Sequence, residues 1–142
     1  MVRSCPSCGQ KNRIPARHLA DTGKCGACKA PFPPQSEPLE VDPTQFQDIL
    51  DHARVPILVD FWADWCGPCR SAAPEVHQTA ANLAGRALVL KVNTEEHPDL
   101  AARFGVESIP NFVVIRNGAV LFQQPGLVGH QVLQGWLEQA GA

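Results

Sequence analysis

The segment that most constrains this chain is Val55-Pro56-Ile57-Leu58-Val59-Asp60-Phe61 with the pentapeptide Trp65-Cys66-Gly67-Pro68-Cys69 that follows it. The apolar, β-branched run predicts a buried strand, and the sequence from Ser71 onward predicts a helix. Two thiols thus stand one helical turn apart at a strand-to-helix junction, with Cys66 at the helix N-terminus. Unpaired backbone amides there carry partial positive charge, which favours thiolate over thiol, and the thiolate is the nucleophile in disulfide exchange. Cys69 lies one turn deeper, where it can resolve a mixed disulfide. A structural disulfide, or half of a zinc site, is the competing reading of such a pair. Trp65, Gly67 and Pro68 argue against it.

All six cysteines fall into C-x2-C pairs, so no odd thiol is left for intermolecular crosslinking. Met1-Val2-Arg3-Ser4-Cys5 lacks the apolar core of a secretory signal, and no stretch approaches the length of a bilayer span. A reducing cytoplasm is therefore expected, with cysteines present as thiols or ligands. Cys5-Pro6-Ser7-Cys8 and Cys25-Gly26-Ala27-Cys28 are separated by sixteen residues, the spacing of a four-cysteine zinc site. Each pair lets a tight turn aim two sulfurs at one ion, and four sulfurs close the tetrahedron, so one structural Zn2+ per chain is expected. Two local disulfides or a pair of redox-active dithiols remain as alternatives, and His18 between the knuckles is a spare ligand.

A chain of 142 residues with 44% hydrophobic content holds one ordinary domain and a small appendage. Residues 1–30 carry six Lys or Arg against Asp21 alone, whereas the whole chain is at −2. That segment has only Phe32 as a nearby aromatic and no Arg-Gly or Lys-rich run, which argues against nucleic-acid binding and for solvated charge or docking on the acidic remainder. The organisation expected is a zinc-binding module over 1–30, an extended Pro-rich linker over 31–38 and a main domain over 39–142.

Within the main domain, Leu39-Glu40-Val41 predicts a short strand, and Asp42-Pro43 a helix N-cap and first turn. Phe46, Ile49 and Leu50 form that helix's apolar face. Strand Ala87–Val92, helix Pro98–Phe104, a hairpin around Asn117-Gly118 and a final amphipathic helix bearing Val132, Leu133, Trp136 and Leu137 follow. The order is strand, helix, strand, helix, strand, helix, hairpin, helix. It implies an α/β fold, a mixed sheet with helices on both faces. Pro74 is expected to kink the helix after Cys69.

Asp60 through Cys69 resembles the active-site segment of the thioredoxin family, and Ser108-Ile109-Pro110 resembles its cis-proline loop. Lys91, Asn117-Gly118 and Gly126 also fall where that family has Lys, Asn-Gly and Gly. The resemblance runs from about Leu39 to the C-terminus; with its N-terminal extension the chain resembles the zinc-binding second thioredoxins of bacteria. It implies a thioredoxin fold preceded by a zinc-ribbon-like module. It further implies a general protein-disulfide reductase with Cys66 as nucleophile, Cys69 as resolving thiol, Asp60 as buried acid/base and Lys91 modulating Asp60. By residue chemistry alone, Asp60 is a desolvated carboxylate with raised proton affinity or an exposed strand-end residue. Gly67-Pro68 resembles the dipeptide of reducing members. Trp65, Gly67, Pro68, Ile109, Pro110 and Gly126 would form an apolar docking patch, with a cis bond before Pro110.

The partners implied are disulfide-containing proteins and an NADPH-dependent flavoprotein thioredoxin reductase; no nucleotide or flavin site is expected in this chain, nor a membrane contact, and the chain is expected to act as a monomer. Asn111 departs from the Thr that often follows the cis proline, and Ser71-Ala72-Ala73 is smaller than the apolar residues usual there. A zinc-regulated client-binding module or holdase, and a redox sensor using the N-terminal cysteines, are the alternative functions.

Overall fold

The computed structural model describes all 142 residues. The N-terminal module consists of two antiparallel hairpins. Strand β1 (Val2–Ser4) pairs with β2 (Lys11–Arg13), and β3 (Gly23–Lys24) pairs with β4 (Pro31–Phe32). A C-x2-C pair occupies each hairpin loop, and the two loops share one backbone pattern. Cys5 N–H donates to the Gln10 carbonyl and Gly9 N–H to that of Cys5; Cys25 N–H donates to Ala30 and Lys29 N–H to Cys25. Gly9 and Lys29, each four residues after its first cysteine, both take positive φ, 76° and 64°. Glycine adopts that conformation freely; in the second loop Lys29 Nζ also reaches the Gly26 carbonyl at 3.1 Å.

Pro31 and Phe32, expected at the start of the linker, belong instead to the ribbon as β4, and Phe32 is buried against Cys5, Cys25 and Ile14. A two-residue edge strand tolerates a proline because few of its N–H groups are needed for pairing. The extended stretch that follows is anchored. Arg3 Nη1 donates to the Pro33 carbonyl at 2.8 Å, and Gln35 N–H donates to that of Leu19 at 2.9 Å. A short 3-10 turn, Ala16–His18, carries Ala16 and Leu19 into the same buried cluster as Phe46, Ile49 and Leu50 of the main domain. The ribbon is therefore docked through apolar side chains.

The main domain follows the expected order: β5 (Leu39–Glu40), α1 (Pro43–His52), β6 (Ile57–Trp62), α2 (Gly67–Asn82), β7 (Leu88–Asn93), α3 (Pro98–Arg103), β8 (Asn111–Arg116), β9 (Ala119–Pro125) and α4 (His130–Gln139). The sheet order is β5-β7-β6-β8-β9, with β5, β7 and β6 parallel and β8 and β9 antiparallel additions. Asp42 caps α1 in a reciprocal box with Gln45, and Pro43 opens the helix. Asn117 and Gly118, at φ 52° and 76°, make the two-residue turn between β8 and β9.

The sheet is covered on both faces. Val59, Phe61, Leu90 and Val92 point toward α1 and α3, where they pack with Phe46, Ile49 and Leu100. Leu58, Val89, Phe112 and Val114 point the other way, against Ala72 and Val76 of α2 and Leu133 and Leu137 of α4. Asp60 and Lys91 keep the parity of Leu58 and Val89, so both lie on the α2 side of the sheet.

Candidate functional site

The site begins where β6 ends. Cys66 is the N-cap of α2, its sulfur accepting the Cys69 N–H at 3.1 Å, and the two cysteines are joined as a disulfide with Cα atoms 5.2 Å apart. Both are buried. The conspicuous exposed side chain beside them is Trp65, two-thirds exposed at 66% and held by an indole N–H bond to Glu95 Oε1 at 2.9 Å. Neither Glu95 nor this contact is marked in the sequence, since β7 and its following turn reach Trp65 only through parallel sheet pairing.

The second wall comes from the loop before β8. Ile109–Pro110 is cis, the Ile109 carbonyl lies 3.6 Å from Cys66 Sγ, and Gly126 N–H donates to the Pro110 carbonyl at 2.8 Å. Gly126 has φ 99°, a conformation suited to glycine. An open groove of about 410 Å³ runs between Trp65 and Ile109, floored by Ala101 and Val106 and edged by Glu107. Gly67 and Pro68 open the first turn of α2 directly after Cys66, and neither lines that groove. Asn111 is buried, its amide donating to the Ser108 carbonyl at 3.4 Å and accepting from Gln123 at 3.1 Å.

Asp60 is 2% exposed, and its Oδ1 has no hydrogen-bond partner. Burial pushes its carboxyl up to about 7, opposed by the charge of Lys91 and reinforced by that of Glu40. Desolvation penalises the ionised form, and no hydrogen bond restores it. This agrees with the desolvated reading of the residue. Lys91 is its register partner across β6 and β7, but its ammonium lies 4.4 Å from the Trp62 ring centroid and 4.0 Å from Glu40 Oε1. His77 is on the surface, and His97 lies beside Glu96 at 4.0 Å.

A second constellation lies in the ribbon. The sulfurs of Cys5, Cys8, Cys25 and Cys28 all fall within 4.8 Å of one another and are positioned to bind a metal ion. Cys5–Cys28 and Cys8–Cys25 are each 3.7 Å apart across the two loops. A tetrahedron with metal–sulfur bonds of about 2.3 Å has edges of about 3.8 Å, so the donor set fits zinc. Backbone N–H groups already point at the sulfurs, from Ser7 to Cys5 and from Ala27 to Cys25, both at 3.4 Å. The Cys28 N–H, the Asn12 side chain and the Ala27 N–H pull Cys25 down to about 6. Against the Gln10 N–H, burial and the three neighbouring sulfurs push Cys8 up to about 11. His18 is not among the donors; its Nδ1 pairs with Asp21 Oδ2 at 2.7 Å.

Comparison with known proteins covers both parts. The thioredoxin family model matches residues 37–139, and a zinc-ribbon model described as the N-terminal part of thioredoxin 2 matches residues 4–30. Thioredoxin C-3 of Corynebacterium nephridii is 37% identical over 139 residues, covering 98% of this chain and 94% of that protein. Thioredoxin 1 of Nostoc sp. is 43% identical over 98 residues, covering 69% of this chain and 91% of its own length. Among solved structures, a point mutant of a thioredoxin from Halobacterium salinarum superposes with a TM-score of 0.68 at 32% identity, over 74% of this chain and 91% of its own.

Proposed function

The chain belongs to the thioredoxin family and is a thiol–disulfide oxidoreductase, and from that premise we propose that it is a general reductant of protein disulfides whose working dithiol is Cys66 and Cys69. The observation that carries this reading is the pair itself: a sulfur capping a helix N-terminus, with the second cysteine one turn deeper and the Ile109 carbonyl alongside. In the reduced chain the Cys66 thiolate attacks one sulfur of a partner's disulfide, forming a mixed disulfide and expelling the other partner sulfur as thiolate. Cys69 then gives its proton to Asp60 and attacks Cys66 Sγ, which releases the second partner thiolate. Two electrons pass to the partner, and the chain ends with the Cys66–Cys69 disulfide.

Substrate chains dock in the groove beside Cys66, where Trp65 and Ile109 give apolar contact and the loop backbone at Ile109–Pro110 supplies main-chain partners. Gly67, Pro68 and Gly126 keep the surface low enough for a disulfide to approach. Reduction of the spent chain needs an external two-electron donor, and an NADPH-dependent flavoprotein reductase has the matching chemistry. Cys5, Cys8, Cys25 and Cys28 would hold one Zn2+ as four thiolates; when bound, a closed four-sulfur ion has no open position and supplies folding free energy to the ribbon. Such thiolates and a reductive cycle both suit a reducing cytoplasm, with the chain acting as a monomer.

The test is a trap. Cys69→Ser, reduced and mixed with a disulfide-bonded protein, is expected to accumulate a mixed disulfide at Cys66, read by mass spectrometry; Cys66→Ser is expected to form none. Equal adduct yields from both variants would remove Cys66 as the attacking thiol.

A further inference from the structure

A row of charge crosses the α2 side of the sheet. Glu40 on the edge strand β5 pairs with Lys91 on β7, and Lys91 pairs with Asp60 on β6. Residues in direct register share a face, so the three side chains form one line from solvent to interior. Their exposure falls along it: Glu40 is more than half exposed at 56%, Lys91 is 16% exposed and Asp60 is buried.

The buried end of the row is short of partners while the outer end is not. Asp60 Oδ1 accepts no hydrogen bond, and the Lys91 ammonium makes no ion pair with Asp60 within 4.0 Å. The ammonium is instead held between Glu40 Oε1 at 4.0 Å and the Trp62 ring at 4.4 Å, both of which attract a cation. We propose that Glu40 is a positioning residue: it holds the Lys91 ammonium at the sheet edge, away from Asp60, and so sets how tightly Asp60 keeps its proton. Its importance for turnover rests on the reading of Asp60 as the acid/base for Cys69.

The two effects of Glu40 have the same sign. Its own negative charge disfavours ionisation of Asp60, and by engaging Lys91 it weakens the one nearby positive charge that favours ionisation. The charged groups bearing on Asp60 are Lys91 and Glu40; Cys69 of α2, on the same side, is locked in the disulfide. Those bearing on Glu40 are Lys91, Glu96 and Asp64, the two acids adding negative charge at the outer end of the row. No pattern in the sequence singles out Glu40, because the pairing of β5 with β7 joins residues far apart along the chain.

The experiment is a carbon-13 NMR titration of the Asp60 carboxyl in the oxidised full-length chain, wild type against Glu40→Gln. The expected result is a midpoint lowered by about half a pH unit, a roughly threefold change in acid constant, the size of a single partly exposed charge pair. An unchanged or raised midpoint would overturn the proposal. Lys91→Met is the second variant: it removes the ammonium that Glu40 steers, and adding Glu40→Gln to it is expected to shift the midpoint less than in wild type. A shift as large as in wild type would show that Glu40 does not act through Lys91. The pH dependence of turnover in the same variants reads separately: a midpoint that moves under a pH profile that does not supports the Glu40 assignment while removing Asp60 from the reaction.

Discussion

Replacing Asp60 by Asn makes the clearest demand on this structure. The carboxyl is buried and unpartnered, and its burial raises it from an ordinary value of 3.8 to about 7. Because the folded chain holds this proton more tightly than the unfolded chain, the group imposes no penalty below the unfolded value. The penalty grows as pH rises through the interval between the two values, and it is complete once pH passes the folded value. An interval of about three pH units at about 1.4 kcal/mol per unit gives a loss of about 4 kcal/mol at alkaline pH from this one residue. Asn is nearly isosteric and does not ionise. Its stability relative to wild type is therefore expected to rise by about 4 kcal/mol between about pH 4 and about pH 8.5, the fixed cost of a buried amide cancelling in that difference. Guanidinium unfolding of both oxidised proteins across this range measures it, since every other titrating group is common to the two. A difference that stays flat with pH would mean that Asp60 is hydrated or paired in solution, and the desolvation argument would fail.

Three further outcomes follow from other parts of the molecule. Pro68→His places an imidazole beside the Cys66 thiolate and is expected to make the dithiol more oxidising by at least about 30 mV in a glutathione equilibrium; an unchanged potential would refute the role given to the dipeptide. Elemental mass spectrometry of the reduced protein is expected to find one zinc per chain, lost with the ribbon's NMR dispersion on chelation; a metal-free chain with an ordered ribbon would contradict the ligand assignment. Leu19→Ala empties a fully buried position where the ribbon meets the main core. The expected loss is about 2 to 5 kcal/mol, read by denaturant unfolding, and a loss below about 0.5 kcal/mol would show that the docking contributes little.

Much of the fold was legible because its signals are local. Asp42, Pro43 and Gln45 announce the start of α1 within a single turn, Asn117-Gly118 dictates a two-residue turn, and the run before Asp60 is apolar on both faces because β6 is central in the sheet. The four-cysteine cluster was equally local, since each loop carries two of its sulfurs. What escaped was set by distant pairing. Glu40 gains meaning only when β5 lies against β7, and Glu95 only when its turn reaches Trp65. Pro31 and Phe32 read as linker because prolines crowd that stretch, yet Phe32 buries against the cysteines. Leu19 has no periodic apolar neighbours to mark it, and its burial depends on a domain contact.

That domain contact has a definite place relative to the redox centre. A side chain at Gly85 would come into van der Waals contact with the Ala20 carbonyl and Pro34, so the ribbon and the linker lie against the segment that leads into β7. Strands β6 and β7 are parallel, Gly85 precedes the start of β7, and Cys66 follows the end of β6. This contact therefore lies at the opposite end of the sheet from the disulfide. The contact at Gly85 is remote from the groove between Trp65 and Ile109. A metal ion held by the four cysteines would add folding free energy to a ribbon whose Leu19 and Ala16 share a core with Phe46 and Ile49.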